Sequence, residues 1–313
     1  MNRPPEPLPA PAEIARRLHD DVARLPMLPT VLLRLSMLDP ESPSYFDDVQ
    51  RLVHGDPGLA VRLLRLANSA GGGALAATTS IDLALLRVGA RTAVELMLAD
   101  KAASMFPAKD EWQRDLWAHS VLVANYMRRL APMVIGAEID ANHAYLAGLL
   151  HDIGRFLMAA LLPEAFEVVE DAGWDGPQGL LDAERQTCGC THTELAYETM
   201  TRWELPASLA RAARDHHREA PTDPAGAAEA DAQAGALVTL LRDVDWLAMH
   251  VAREGMAWLE QPPADFEAQA RERMRSRYRG APEDRLVRLR SATAEASRLL
   301  AAIGLDDRDF RRA

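Results

Sequence analysis

Apolar residues recur along most of the chain at intervals of three and four, and the strict alternation that marks strands is missing. EIARRLHDDVARL (13–25) reads as a first amphipathic helix, ended by PMLP. TVLLRLSMLDP follows, with Thr30 as its starting cap and Pro40 as its stop. SYFDDVQRLVHGDP and PGLAVRLLRLANSA give two more helices, the second entered through Asp56 as N-cap and Pro57 at the first helical position. Gly71–Gly73 break the pattern before SIDLALLRVGARTAVELMLADKAASMF. A longer helix runs from Glu111 to Leu130, and ANHAYLAGLLHDIGRFLMAALLP reads as one helix stopped by Pro163.

WDGPQG (174–179) is a turn-rich loop, and Pro206 separates the helices HTELAYETMTRWEL and ASLARAARDHH. REAPTDPAGAAEADA (218–232), mixing proline, glycine and acidic residues, reads as a linker. Beyond it come AGALVTLLRDVDWLAMHVA, ADFEAQARERMRSRY and DRLVRLRSATAEASRLLAAIG, the last closed by Gly304 as a C-cap. The pattern therefore predicts an all-α protein with an N-terminal helical lobe (12–107), a second helical domain (108–250) and a helical extension (251–313). The leucine-rich faces of helices 30–38 and 57–69 lead us to expect one continuous core over residues 12–250, with the N-terminal bundle packed on the second domain.

Composition narrows the classes. Of 313 residues, 48% are hydrophobic and only 5% aromatic, so leucine, alanine, valine and methionine must fill the core. A net charge of −11 argues against a broad basic footprint for nucleic acid or anionic lipid. The apolar runs are interrupted by charge, and MNRPPEPLPAPAE lacks the apolar segment of a signal peptide, so neither a membrane span nor secretion is expected. Two cysteines cannot build a disulfide framework. The expected setting is cytoplasmic.

Within the apolar run GLLHDIGRF, His151 and Asp152 stand side by side. An unpaired buried carboxylate costs several kcal/mol, so Asp152 needs a partner or a counter-charge. Candidates are His119, His192, the adjacent pair His216 and His217, and Asp245. Imidazoles with carboxylates are a ligand set for first-row metals, and such groups can also hold two ions around an activated water. Asp115, one turn before His119, either extends this set or is a solvated helix charge. CGCTH (188–192) lacks the spacing and the second cysteine pair of a structural zinc site and reads as two thiols in a loop.

The order H…HD…H…HH…D, with HDIG, resembles the HD superfamily of metal-dependent phosphohydrolases. LPMLPTVLLRL, DPGLAVRLLRLANSA, SIDLALLRVG, LWAHS, AYLAGLLHDIGRFLM, THTELAYETMTRWELP and ARDHH together resemble, over about residues 24–250, the HDOD family of bacterial signalling proteins. That resemblance implies a two-lobed, all-helical architecture with an HD-type domain. By motif, His119 matches the first HD histidine, His151 and Asp152 the doublet, and Asp245 the final aspartate. His192, His216 and His217 match the extra metal-holding histidines of the HD-GYP phosphodiesterases. The implied cofactor is a divalent metal, as one ion or a binuclear pair, with iron, manganese, zinc and magnesium as candidates.

Two departures bear on activity. The Gly-Tyr-Pro loop of HD-GYP enzymes is replaced here by HHREAPTDPAG. The lysine common after HDIG is Arg155, whose fork suits a bound phosphate but which cannot shuttle a proton. The expected function is a regulatory module with a metal-binding HD pocket and no catalytic residue, working through a signalling partner and a nucleotide or cyclic-dinucleotide ligand. The alternative is a metal-dependent phosphohydrolase acting on such a ligand.

Overall fold

The computed structural model describes residues 8–25, 27–28, 32, 34–35, 37–69, 77–218, 229–254, 274 and 277–305. The expectations for Thr30 as a cap, for Gly71–Gly73, for most of the 218–232 linker and for helix 264–278 fall largely or wholly outside these residues. The described chain is helical, as the periodicity predicts. The one pairing of strand type among the described residues is an isolated bridge between Val134 and Tyr278. The protein divides into two compact units, each assembled from two stretches of sequence: Met1–Leu28 with Leu150–Val238, and Pro29–Leu149 with Thr239–Ala313.

The first unit begins with α1 (Pro11–Val22), which buries Ile14, Leu18 and Val22 at helical spacing. The second unit opens its regular structure with α2 (Tyr45–His54) and α3 (Pro57–Ser69), entered as expected at Pro57, with Asp56 Oδ1 accepting from Leu59 N. The stretch from Ile81 forms two helices, α4 (Ile81–Val88) and α5 (Ala90–Met105). They part at Gly89, whose φ of 86° a side-chain-bearing residue rarely adopts. Ser80 caps α4 by accepting from Leu83 N, and Asp110 caps α6 (Glu111–Leu130) by accepting from Gln113 N.

Helix α6 is buried along nearly its whole length. Its partners in the second unit explain why. The last described helix, α14 (Pro282–Ile303), packs along it, joined by a buried 2.7 Å hydrogen bond between Tyr126 and Thr293 hydroxyls and by the Arg129–Glu295 ion pair. Gly304 ends α14 in the left-handed conformation, as expected. A Cβ on Gly148, in α7 (Ala141–Leu150), would sit 2.7 Å from the Cα of Ala124, so the α6–α7 approach depends on glycine there.

Beyond α7 the first unit resumes with α8 (Ile153–Leu161), α9 (Pro163–Asp171), α10 (Gly176–Cys188), α11 (His192–Arg202) and α12 (Ala207–Asp215). α11 packs on α12 and on α8, and α9 joins α8 to α10. The long α13 (Glu229–Glu254) carries residues of both units. The stretch Ala141–Leu161 is long and apolar enough to cross a membrane by length and composition, but most of it is buried inside the protein. It is also not one helix. α7 stops at Leu150 and α8 starts at Ile153, so the expected continuous helix breaks at the His151–Asp152 doublet.

Gly148→Ala should lower stability by about 1–3 kcal/mol, the usual cost of forcing a methyl into a packed contact. Gly235→Ala, in α13 with open space around the added Cβ, should be neutral or stabilising. Urea denaturation of both variants checks this; equal losses would remove the α6–α7 contact as the cause.

Candidate metal centre

The break between α7 and α8 decides what the doublet can do. On a continuous helix, neighbouring side chains diverge by about 100°. Here Asp152 sits at the N-cap position of α8, yet its side chain makes no capping bond. Its carboxylate turns instead toward three histidines. His151 Nε2 lies 3.4 Å from Asp152 Oδ2, while His192 Nε2 and His216 Nε2 lie 3.4 and 3.6 Å from Oδ1. All four residues are buried.

Each histidine is placed by its local structure. His192 is the first residue of α11, whose start is fixed by a capping box between Thr191 and Glu194. Gly154 allows α8 to meet that start: a Cβ there would lie 2.0 Å from the His192 carbonyl oxygen. His216 caps the C-terminal end of α12, and its Nδ1 lies 2.8 Å from the carbonyl of Ala213. His217 is half-buried and its ring lies against that of His216, tilted by 46° with centroids 3.9 Å apart. One ligand atom from each of Asp152, His192, His216 and His217 falls within 4.8 Å of the others, a spacing able to hold a metal ion.

Glu184, which the sequence reading did not single out, lies beneath His192. Both of its carboxylate oxygens are 2.8 Å from His192 Nδ1, and one also accepts from the His192 backbone N–H. Glu184 is buried on α10, so this carboxylate is committed to the histidine. Nδ1 must carry the proton for that bond, which leaves Nε2 as the atom facing Asp152. His192 Nε2 is buried and makes no hydrogen bond. An imidazole held by a carboxylate on one nitrogen and open on the other has the usual surroundings of a metal-binding histidine. Glu184 lies in an ordinary amphipathic helix; only its eight-residue distance from His192 hints at a contact.

The electrostatics agree. Burial pushes the Asp152 carboxyl up, but the charges of His151, His192, Arg155 and His216 outweigh it and hold the group well below the usual carboxylate range. For His192 burial favours the neutral ring, but the charge and hydrogen bond of Glu184, followed by Asp152, raise it above its ordinary value.

In the second unit, His119 on α6 and Asp245 on α13 pair with each other, Nε2 to Oδ1 at 3.0 Å, and both are buried. Asp115 is buried, which excludes the solvated-charge reading. Arg155, on the first turn of α8, donates from Nη2 to Glu170 on α9 at 2.5 Å. Cys188 and Cys190 are free and buried, with burial pushing both thiols up to about 12, as inert thiols would be.

With this geometry established, relatives are informative. The HDOD domain family model matches residues 25–219. An uncharacterized protein of Treponema pallidum (strain Nichols) is 26% identical over 66% of this chain, and the match spans 40% of that protein's length. A Shewanella amazonensis SB2B structure, provisionally named a phosphohydrolase, is similar in fold at TM-score 0.62 and 21% identity, covering 92% of this chain and 98% of that one. A Marinobacter aquaeolei VT8 structure, provisionally named a signal transduction protein, is similar at TM-score 0.61 and 19% identity, covering 94% of this chain and 66% of that one.

The Glu184–His192 pair predicts a pH signature in chelator-treated protein. A histidine whose folded value lies above its ordinary 6.5 contributes stability below that value and loses it as pH rises through the folded one. Glu184→Gln keeps a hydrogen-bond acceptor but removes the charge. Its stability deficit against wild type should be largest below about pH 6 and shrink toward pH 9 in urea titrations. A deficit that grows with pH would contradict the pairing.

Proposed function

The chain belongs to the HDOD family, and on that premise we propose that it is a regulatory signalling module whose histidine–aspartate cluster holds a divalent metal and which does not itself turn over substrate. One observation carries the metal reading: two imidazole Nε2 atoms face one oxygen of Asp152 while their Nδ1 atoms are engaged by Glu184 and by the Ala213 carbonyl. Lone pairs on nitrogen and on carboxylate oxygen repel when brought together, and a cation between them turns that repulsion into attraction. The mix of imidazoles with a single carboxylate suits iron, manganese or zinc better than magnesium, which prefers oxygen. Bound there, a divalent ion supplies Lewis acidity; the residues hold it, and the apolar helices around them keep bulk water out.

The regulatory reading rests on what surrounds the cluster. The sequence after His216 and His217 lacks a Gly-Tyr-Pro clamp, and the guanidinium of Arg155 is engaged by Glu170. Positioning a phosphate in line contributes several kcal/mol to catalysis, so a metal without such a clamp is a poor catalyst. In this reading metal or ligand occupancy sets the shape presented to a signalling partner, with a nucleotide or cyclic dinucleotide as the ligand class. A second reading, a metal-dependent phosphohydrolase, is favoured by the four imidazoles of His151, His192, His216 and His217, a richer donor set than a structural site uses. It also draws on the name given to the Shewanella protein.

Elemental analysis of protein purified without chelators should find a transition metal in wild type and little in Asp152→Ala. Glu184→Gln should bind metal about 10–100-fold more weakly, the usual effect of losing the group behind a histidine ligand. Incubated with manganese or iron(II), the protein should leave cyclic-di-GMP intact. Metal-dependent turnover of that dinucleotide, absent in His151→Ala, would establish the phosphohydrolase instead.

A further inference from the structure

Arg155 and Glu170 form a buried ion pair that packing alone does not explain. Arg155 Nη2 donates to Glu170 Oε1 at 2.5 Å, with the two side chains 12% and 4% exposed. The rings of Phe166 and Trp174 lie on the guanidinium, with centroids 5.9 and 5.7 Å from its central carbon. Arg155 Nε is buried and makes no hydrogen bond. Desolvating two charges costs several kcal/mol per ion, and apolar residues of similar volume commonly serve stability as well or better. The pair is placed one turn from Asp152, whose carbonyl accepts from the Arg155 backbone N–H. From there the guanidinium charge acts on both Asp152 and Glu184.

A guanidinium fork matches a phosphate as well as it matches a carboxylate. We infer that Glu170 masks Arg155: its carboxylate occupies the donor that the arginine would otherwise offer to a phosphate-bearing ligand of the neighbouring centre. A ligand phosphate that grips the Nε–Nη2 edge with two bonds must displace Glu170 from Nη2, so the resting protein holds that fork closed. Phe166 and Trp174 keep the guanidinium in place when Glu170 leaves, because ring contacts hold the charge without consuming its hydrogen-bond donors. The ligand class rests on the function proposed above; the masking itself rests on the Arg155–Glu170 geometry.

The test is binding of inorganic phosphate by full-length protein, followed by calorimetry, with metal content measured on the same samples. Glu170→Gln should bind phosphate at least about tenfold more tightly than wild type, a gain of about 1.4 kcal/mol. Adding Arg155→Met to Glu170→Gln should abolish the gain. Glu167→Gln, which removes an exposed charge from the same helix, should not reproduce it. Should Glu170→Gln fail to fold, Glu170→Asp, whose carboxylate is drawn back by one methylene, must show a gain in the same direction. A folded Glu170 variant that binds phosphate no better than wild type, or no better than Glu167→Gln, overturns the masking. Absence of metal from wild type would instead count against the proposed function and leave the phosphate comparison to decide the masking.

Discussion

The carboxylate of Asp152, buried in an apolar run and facing the histidines around it, is the constraint to which the rest of the first unit answers. A charge in that position is tolerated only where the surroundings favour it strongly. His151, His192, His216 and Arg155 provide that surplus of positive potential. Each is delivered by a different device: a helix break for the doublet, a capping box for His192, a helix end for His216 and a first-turn position for Arg155. The fold spends its helix termini on this cluster, where side chains can converge from several directions without sharing one helical face.

Close helix approach is the second requirement, and glycine supplies it at two points. Gly154 lets α8 touch the start of α11, and Gly148 lets α7 lie against α6 within the second unit. Any side chain at either place would push a neighbouring backbone away. The first of these contacts brings Asp152 and His192 together, so a backbone property of one glycine becomes a property of the site.

Several buried charges among the described residues are paired and also tied to a backbone or ring contact. Glu184 holds the ring and the backbone N–H of His192, and Glu170 holds an arginine flanked by two aromatic rings. In the second unit Arg285 donates to the carbonyls of Met274, Tyr278 and Gly280, fixing the chain that leads into α14. Such arrangements fix direction as well as charge, which distinguishes a site from a merely neutralised interior.

The sequence by itself determined the helical class, because 3.6-residue periodicity is a local property written into every segment. It determined the family too, through LANSA, HDIG and the paired histidines. Caps such as Asp56 and Gly304 were equally legible, since each acts within one turn of its own helix. Only the tertiary structure decided that the helix around the doublet breaks, because the local pattern through Leu150 and Ile153 is uninterrupted and the break is favoured by contacts distant in sequence. The same holds for Glu184 behind His192 and Glu170 on Arg155, whose partners lie 8 and 15 residues away on other helices. A carboxylate on an amphipathic helix looks alike in sequence whether it meets water or an imidazole. What it meets is fixed by which helices pack together, and that packing is a property of the whole chain.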